Sequence, residues 1–360
     1  MSKRIIVVGA GGVGKTTIAS ALAMHSAATG TSTLVMTFDP SQRLRDTLGL
    51  SAEERSEAGA RPVEIAGGAD LRAVLLDPRR TFDALIVRHC PDEASARRIL
   101  ENRFYEDLGG HLSGILEYMA VEELFRADND RKAERLVLDT PPTSQALDFL
   151  EAPERIVGFL DSGAVNLATR SWFDDDGRLR TGRKLGIFGR GIEAWLDRMV
   201  GLDLLRAMAE FFQAFAPLYA GFRRRAMAVS EVLRSPDTLF VLVSGPASDR
   251  IADTMFFARK LKEKGFHLGP IIVNRIHHPA SSCGNPAADG TVRAGMDTPL
   301  ARTALWLAQR DGEAVDHFRT LLPEEHPVIP LPIESCEPTS QVALLAIGRT
   351  LAASMRRFLE

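Results

Sequence analysis

Arg4-Ile5-Ile6-Val7-Val8, followed by Gly9-Ala10-Gly11-Gly12-Val13-Gly14-Lys15-Thr16-Thr17, decides the fold. The first run is apolar and β-branched from Ile5 to Val8, as a strand buried on both faces of a parallel sheet requires. The second run matches G-x-x-x-x-G-K-[ST], the phosphate-binding loop. Thr17 to Ala28 is rich in Ala, Leu and Met and reads as a helix. Strand, glycine-rich turn and helix are the setting the motif needs. The backbone N–H groups of Gly11, Gly12, Val13 and Gly14 can close on phosphate oxygens where a Cβ would obstruct. The helix offers its positive N-terminus to the same anion. Lys15 is expected to reach the β- and γ-phosphates of a bound nucleotide, and the Thr16 hydroxyl to ligate Mg²⁺. Thr17 adds an α-phosphate contact.

The rest of the chain supplies strands whose carboxyl ends carry polar residues. Ligands bind beyond such ends in open parallel sheets. Thr33 to Phe38 is one strand, ending in Asp39-Pro40-Ser41-Gln42-Arg43. Asp39 has two readings there: a carboxylate orienting the attacking water or a magnesium water, or a helix N-cap followed by Pro. Arg135 to Asp139 is a second, followed by Thr140-Pro141-Pro142-Thr143. An apolar run ending in Asp139 fits a strand whose carboxylate holds a magnesium water, and the stiff Pro-Pro turn suits a switch that senses the γ-phosphate. Thr238 to Ser244, Pro270 to Arg275 and Val328 to Ile333 continue the α/β alternation. Asn274, at a carboxyl end, is placed to read an adenine edge. The expected fold is a P-loop α/β domain with a mainly parallel, doubly wound sheet.

The chain has 360 residues, of which 45% are apolar, enough for a sizeable core. A formal charge of −3 gives no overall pull toward nucleic acid or an anionic membrane. Cys90, Cys283 and Cys336 are far apart, which argues against a disulfide scaffold or a thiolate zinc clasp and for a reducing compartment. His277, His278 and Cys283 lack zinc-site spacing and read as a polar loop, so no zinc is expected. No run is long and uncharged enough to span a membrane, and the first strand leaves no room for a leader. The expected location is cytoplasmic, peripheral to a membrane through a partner.

The sequence reads as one P-loop domain over 1–360, with helical insertions at about 77–132 and 153–236. Thr81 to Phe104 and Leu112 to Phe125 read as helices, and helix resumes from Pro153. Residues 170–190 read as an exposed loop. Residues 191–233 carry Trp195, Met199, Met208, Phe211, Phe212, Phe215, Phe222 and Met227. They read as a packed helical hairpin or as an apolar groove for a client helix. Arg223-Arg224-Arg225 lacks the aromatic interleaving of a single-strand binder.

In these motifs the chain resembles the ArsA-type anion-pump ATPases and the related ATPases that target tail-anchored membrane proteins. Gly9 to Thr17 matches their phosphate loop. Asp39-Pro40-Ser41-Gln42-Arg43 resembles their switch I, and Asp139-Thr140-Pro141-Pro142-Thr143 their switch II. Asn274 matches their adenine-contacting Asn, and Pro330, Pro332 and Ile333 their adenine loop. The resemblance implies ATP/ADP and Mg²⁺ as cofactors. It gives Asp39 the hydrolytic water and Asp139 the Mg²⁺ shell. It also implies a dimer opened and closed by nucleotide, a homodimer or a heterodimer with a paralogous subunit, acting on an apolar helix client or a membrane protein. Three departures stand out. The family's signature Lys, which reaches the partner's nucleotide, is replaced by Ala10. Such a cation is worth about 10³–10⁵ in rate, so Arg43 or a paralogue is expected to replace it. The zinc-binding C-x-x-C and the arsenite-binding cysteine cluster are also missing. Two alternatives follow: the energising subunit of an oxyanion pump, and a non-catalytic regulatory subunit of a heterodimer. A DNA-partitioning relative is disfavoured, because that role uses the absent Lys and a basic face.

Overall fold

A computed structural model describes residues 3–37, 48, 61–63, 70–106, 115–141, 143–161, 202–277, 298–333 and 340–359. Its strands are β1 (Arg4–Gly9), β2 (Thr33–Thr37), β3 (Arg61–Val63), β4 (Leu71–Leu75), β5 (Arg135–Asp139), β6 (Thr238–Ser244), β7 (Leu268–Ile276) and β8 (Val328–Pro332). Its helices are α1 (Lys15–Ala28), α2 (Pro78–His89), α3 (Glu93–Leu100), α4 (Ile115–Asn129), α5 (Thr143–Asp161), α6 (Leu202–Phe215), α7 (Tyr219–Arg234), α8 (Ser248–Glu263), α9 (Pro299–Leu321), α10 (Gln341–Ser354) and α11 (Arg356–Leu359). By internal contacts the chain divides into two units. One comprises Met1–Leu76, Leu124–Leu147 and Val232–Glu360, the other Asp77–Glu123 and Asp148–Glu231.

The first unit holds an eight-stranded sheet in the order β3-β4-β2-β5-β1-β6-β7-β8. All pairings are parallel except that of the short edge strand β3 with β4. The mainly parallel sheet read from the sequence is what forms. The connection from β1 runs toward β2, whereas that from β5 runs the other way to β6, so the order reverses at β1. That reversal opens a crevice at the carboxyl end of β1, where the phosphate loop lies. Every residue of β1 is buried, because the sheet is covered on both faces. Ile272 packs with α1 and α10 residues such as Ile18, Leu22, Leu344 and Leu351. Its neighbour Val273 packs on the opposite face with Ile251 of α8 and Val315 and Phe318 of α9. Helix α1 is apolar nearly all round because it is wedged between sheet and α10. Gly348 permits that approach, since a Cβ there would lie 2.3 Å from the Ala21 carbonyl oxygen.

The described residues of the second unit are helical, and their core is aromatic. Phe215 sits 4.9 Å from Phe222, 5.4 Å from Phe211 and 6.3 Å from Phe82, centroid to centroid. Tyr118 donates to Glu122 at 2.8 Å, and Arg225 closes on the other carboxylate oxygen of that buried residue. Arg223 pairs with Asp161 at 2.9 Å. Arg225 is thereby a structural partner of buried Glu122, whereas the Arg223–Asp161 pair is exposed.

Several boundaries differ from expectation. The helix expected from Thr81 to Phe104 is broken at Cys90-Pro91-Asp92. Pro91 lacks an N–H and drives Cys90 into an extended conformation, and Asp92 then caps α3 by accepting from the Ser95 N–H at 2.7 Å. Helix α5 begins at Thr143 rather than Pro153 and carries Pro153 inside it. The exposed loop expected at 170–190 lies outside the described residues.

Candidate functional site

The phosphate loop is held open by its glycines. Gly14 caps α1 in the left-handed region at φ 95°, a conformation costly for any residue with a Cβ. A Cβ there would also lie 2.4 Å from Asn274 Nδ2. No side chain caps the helix, and its first turn has no acidic residue. Val13 is buried in the sheet core, which anchors the loop, while Gly11 and Gly12 are exposed. Lys15 is buried and donates to the Ala10 carbonyl at 3.0 Å, bringing its ammonium back over the loop. Thr17 follows, half-buried, in the first turn.

Beneath the loop lie the oxygen donors. Asp139 pairs in register with Val7 of β1 on one side and Thr37 of β2 on the other. Its Oδ2 accepts from Thr16 Oγ1 at 2.7 Å and from Thr37 Oγ1 at 2.9 Å. Both donors are uncharged hydroxyls. Thr140 then ties the start of the second switch to β1, its hydroxyl donating to the Val7 carbonyl at 2.8 Å. Pro141 follows. Pro142 lies outside the described residues, and Thr143 opens α5.

On the other side of the loop, Asn274 is buried and donates from Nδ2 to the Val13 carbonyl at 2.8 Å. Its Oδ1 accepts from the Arg275 N–H at 2.9 Å. Leu331, between Pro330 and Pro332, is in register with Asn274, and Ile333 donates its N–H to the Ile276 carbonyl at 2.9 Å. The residues expected to form an adenine loop, Pro330, Pro332 and Ile333, therefore flank the end of β7. His277 is fixed there by buried Asp311, which accepts from its backbone N–H at 3.0 Å and lies 2.7 Å from its Nδ1. Burial opposes a charge on Asp311, but these contacts and the Arg310 guanidinium outweigh it and hold the carboxyl below the usual range.

The structure thus brings Gly11, Gly12, Val13, Gly14, Lys15, Thr16, Thr17, Asp139 and Asn274 to one end of the sheet. Asp39, Pro40 and Arg43 lie outside the described residues, as do His278, Cys283 and Cys336. The described residues contain no group of three or more His, Cys, Asp or Glu side chains suited to a metal ion. Two residues escaped the sequence reading. Thr37 was simply the polar end of a strand. Arg275 carried a usable signal, a charge inside the apolar run of β7.

The site's residues fit Mg·ATP. The glycine-lined cradle is one that side chains would fill, and Thr16 and Asp139 present the hard oxygen donors Mg²⁺ prefers.

Comparison with known proteins agrees with this geometry. The ATPase GET3 of Chaetomium globosum is 30% identical over 286 residues, covering 78% of this chain and 75% of its own. The chain belongs to the anion-transporting ATPase family. The profile described as "Anion-transporting ATPase" matches residues 2–166, from β1 through α5. ATPase GET3B of Arabidopsis thaliana is 26% identical over 297 residues, 78% of this chain and 66% of its own. The Paramecium tetraurelia ATPase ASNA1 homolog 1 is 30% identical over 154 residues, 42% of this chain and 44% of its own. Against these two family members the match spans between about half and two thirds of the relative. Among the described residues no helix is long and apolar enough to cross a membrane.

Proposed function

We propose that this chain binds and hydrolyses Mg·ATP at the Gly9–Thr17 loop and uses nucleotide state to open and close a dimer that handles an apolar client or a membrane-associated partner. The observation that carries the catalytic part is the meeting of Thr16, Thr37 and Asp139 at one carboxylate oxygen directly beneath the loop. Thr16 and Asp139 would hold Mg²⁺, directly and through water. Mg²⁺ held there would supply positive charge against the nucleotide's phosphates. The loop N–H groups bind the phosphates, and Lys15 turns from the Ala10 carbonyl to them. Thr37 keeps Asp139 aimed when the Thr16 hydroxyl is engaged elsewhere. Asp39 orients the attacking water. Asn274, with Pro330, Pro332 and Ile333, receives the adenine. Residues of the helical unit are insertions in one P-loop domain over 1–360. Its client-handling role is the part least supported by its own side chains. Phe211, Phe212, Phe215 and Phe222 are buried against each other, which favours the packed-hairpin reading for them. Met227 is exposed, whereas Trp195 and Met199 lie outside the described residues.

A second reading, energising an oxyanion pump, is favoured by the "Anion-transporting ATPase" description of the matching profile. Arsenite-stimulated turnover would select it.

The test is nucleotide binding and turnover by Lys15→Ala and Asp139→Asn. Lys15→Ala should weaken Mg·ATP binding. Asp139→Asn should bind ADP without metal as the wild type does and lose Mg²⁺-dependent turnover. Undiminished affinity in the first or undiminished turnover in the second defeats the assignment.

A further inference from the structure

Asn274 and Arg275 are consecutive on β7, and they bond consecutive carbonyls of the phosphate loop. Asn274 Nδ2 donates to Val13 O at 2.8 Å, and Arg275 donates from one guanidinium nitrogen to Gly12 O at 3.1 Å. The strand is distorted to allow this. The register between β7 and β8 shifts between Asn274 and Ile276, so Arg275 is the extra residue of a bulge. It adopts φ 64°, in the left-handed region that a residue with a long side chain occupies only at a cost. It is also the one exposed position of β7, in a strand otherwise buried. Bulges beside sites re-aim side chains, and this one brings a guanidinium nitrogen onto the loop's Gly12 carbonyl.

The consequence follows from peptide geometry. In a planar trans peptide the carbonyl of one residue and the N–H of the next point in opposite directions. Drawing the Gly12 and Val13 carbonyls toward β7 therefore turns the Val13 and Gly14 N–H groups away from it, toward the concave side of the loop. Those are two of the donors a phosphate needs. Gly12, at φ 77°, has the backbone freedom to be held this way.

We infer that Arg275 is a positioning residue that, with Asn274, pre-orients the Val13 and Gly14 N–H groups for the phosphates of the nucleotide. This rests on the reading of the loop as the phosphate cradle. Losing one charge-assisted hydrogen bond of this kind corresponds to about a tenfold change in affinity.

Arg275→Gly is the informative variant, because glycine takes φ 64° freely and should not lower the melting temperature. Its Kd for Mg·ADP, read by isothermal titration calorimetry, should rise about tenfold, and the Val13 and Gly14 amide resonances should move in nucleotide-free protein. Arg275→Lys, which can still donate to the Gly12 carbonyl, should recover most of the affinity. Unchanged affinity in Arg275→Gly overturns the inference. So does a Lys variant as weak as the Gly variant, which would assign the effect to the backbone. A loss of affinity matched by a loss of melting temperature would make Arg275 merely structural. Failure of the cradle reading looks different: wild-type affinity for Mg·ADP would then be indifferent to Lys15→Ala.

Discussion

Replacing Thr37 by Val removes one hydroxyl and almost no volume at a position that is 1% exposed. The lost contact is the 2.9 Å hydrogen bond to Asp139 Oδ2. A hydrogen bond to a charged acceptor contributes about 1.5–3 kcal/mol. Thr16 donates to the same oxygen at 2.7 Å, so the carboxylate is not abandoned, and the lower end of that range, about 1.5 kcal/mol, is the expected stability loss. The functional effect should be larger in relative terms. When Thr16 serves as a metal ligand, the Thr37 hydroxyl still aims Asp139. A loss of about 1.4 kcal/mol in aiming is a tenfold change in apparent metal affinity. The assay is ATP turnover against Mg²⁺ concentration, alongside ADP binding in EDTA. Half-saturation by Mg²⁺ should rise about tenfold, with metal-free ADP affinity unchanged. Equal Mg²⁺ half-saturation in a variant that is measurably less stable would refute the reasoning, because it would make Thr37 a packing residue only.

Further outcomes follow from the same contacts. Gly14→Ala places a Cβ 2.4 Å from Asn274 Nδ2 at a left-handed position, so nucleotide affinity should fall about tenfold or more; calorimetry with Mg·ADP checks this. Gly348→Ala sets a Cβ 2.3 Å from the Ala21 carbonyl and should cost about 1–3 kcal/mol in urea unfolding by forcing α10 off α1; no loss would mean the helices separate freely. Asp311→Asn should destabilise by about 2 kcal/mol at pH 7. The folded pKa of Asp311 is depressed, so its contribution is whole above the ordinary value of 3.8 and is lost as pH falls through the lower folded value. The gap between variant and wild type should therefore narrow when unfolding is repeated near pH 3, and a constant gap would contradict the pairing.

The parts legible in the sequence are those set by local chemistry. Loop spacing, the apolar run of β1 and an aspartate closing β5 are each contained in a few consecutive residues. Even the break at Pro91 was available there, since proline cannot continue a helix without loss of a hydrogen bond. Non-local facts were not available. Thr37 matters only because β2 is in register with β5, and Arg275 only because a bulge against β8 rotates it toward Gly12. Residue type also fails to separate core from groove. Phe and Met at helical spacing suit both, and only the ring-to-ring packing of Phe211, Phe215 and Phe222 assigns those residues to a core.

Mg·ATP turnover per subunit, measured across a range of protein concentrations, tests the proposed dimeric ATPase most directly. A per-subunit rate that rises and saturates with concentration is expected, since association would then complete a site that Ala10 leaves one cation short. A substantial rate that stays flat from the most dilute sample upward would contradict it, because each subunit would then hydrolyse ATP alone.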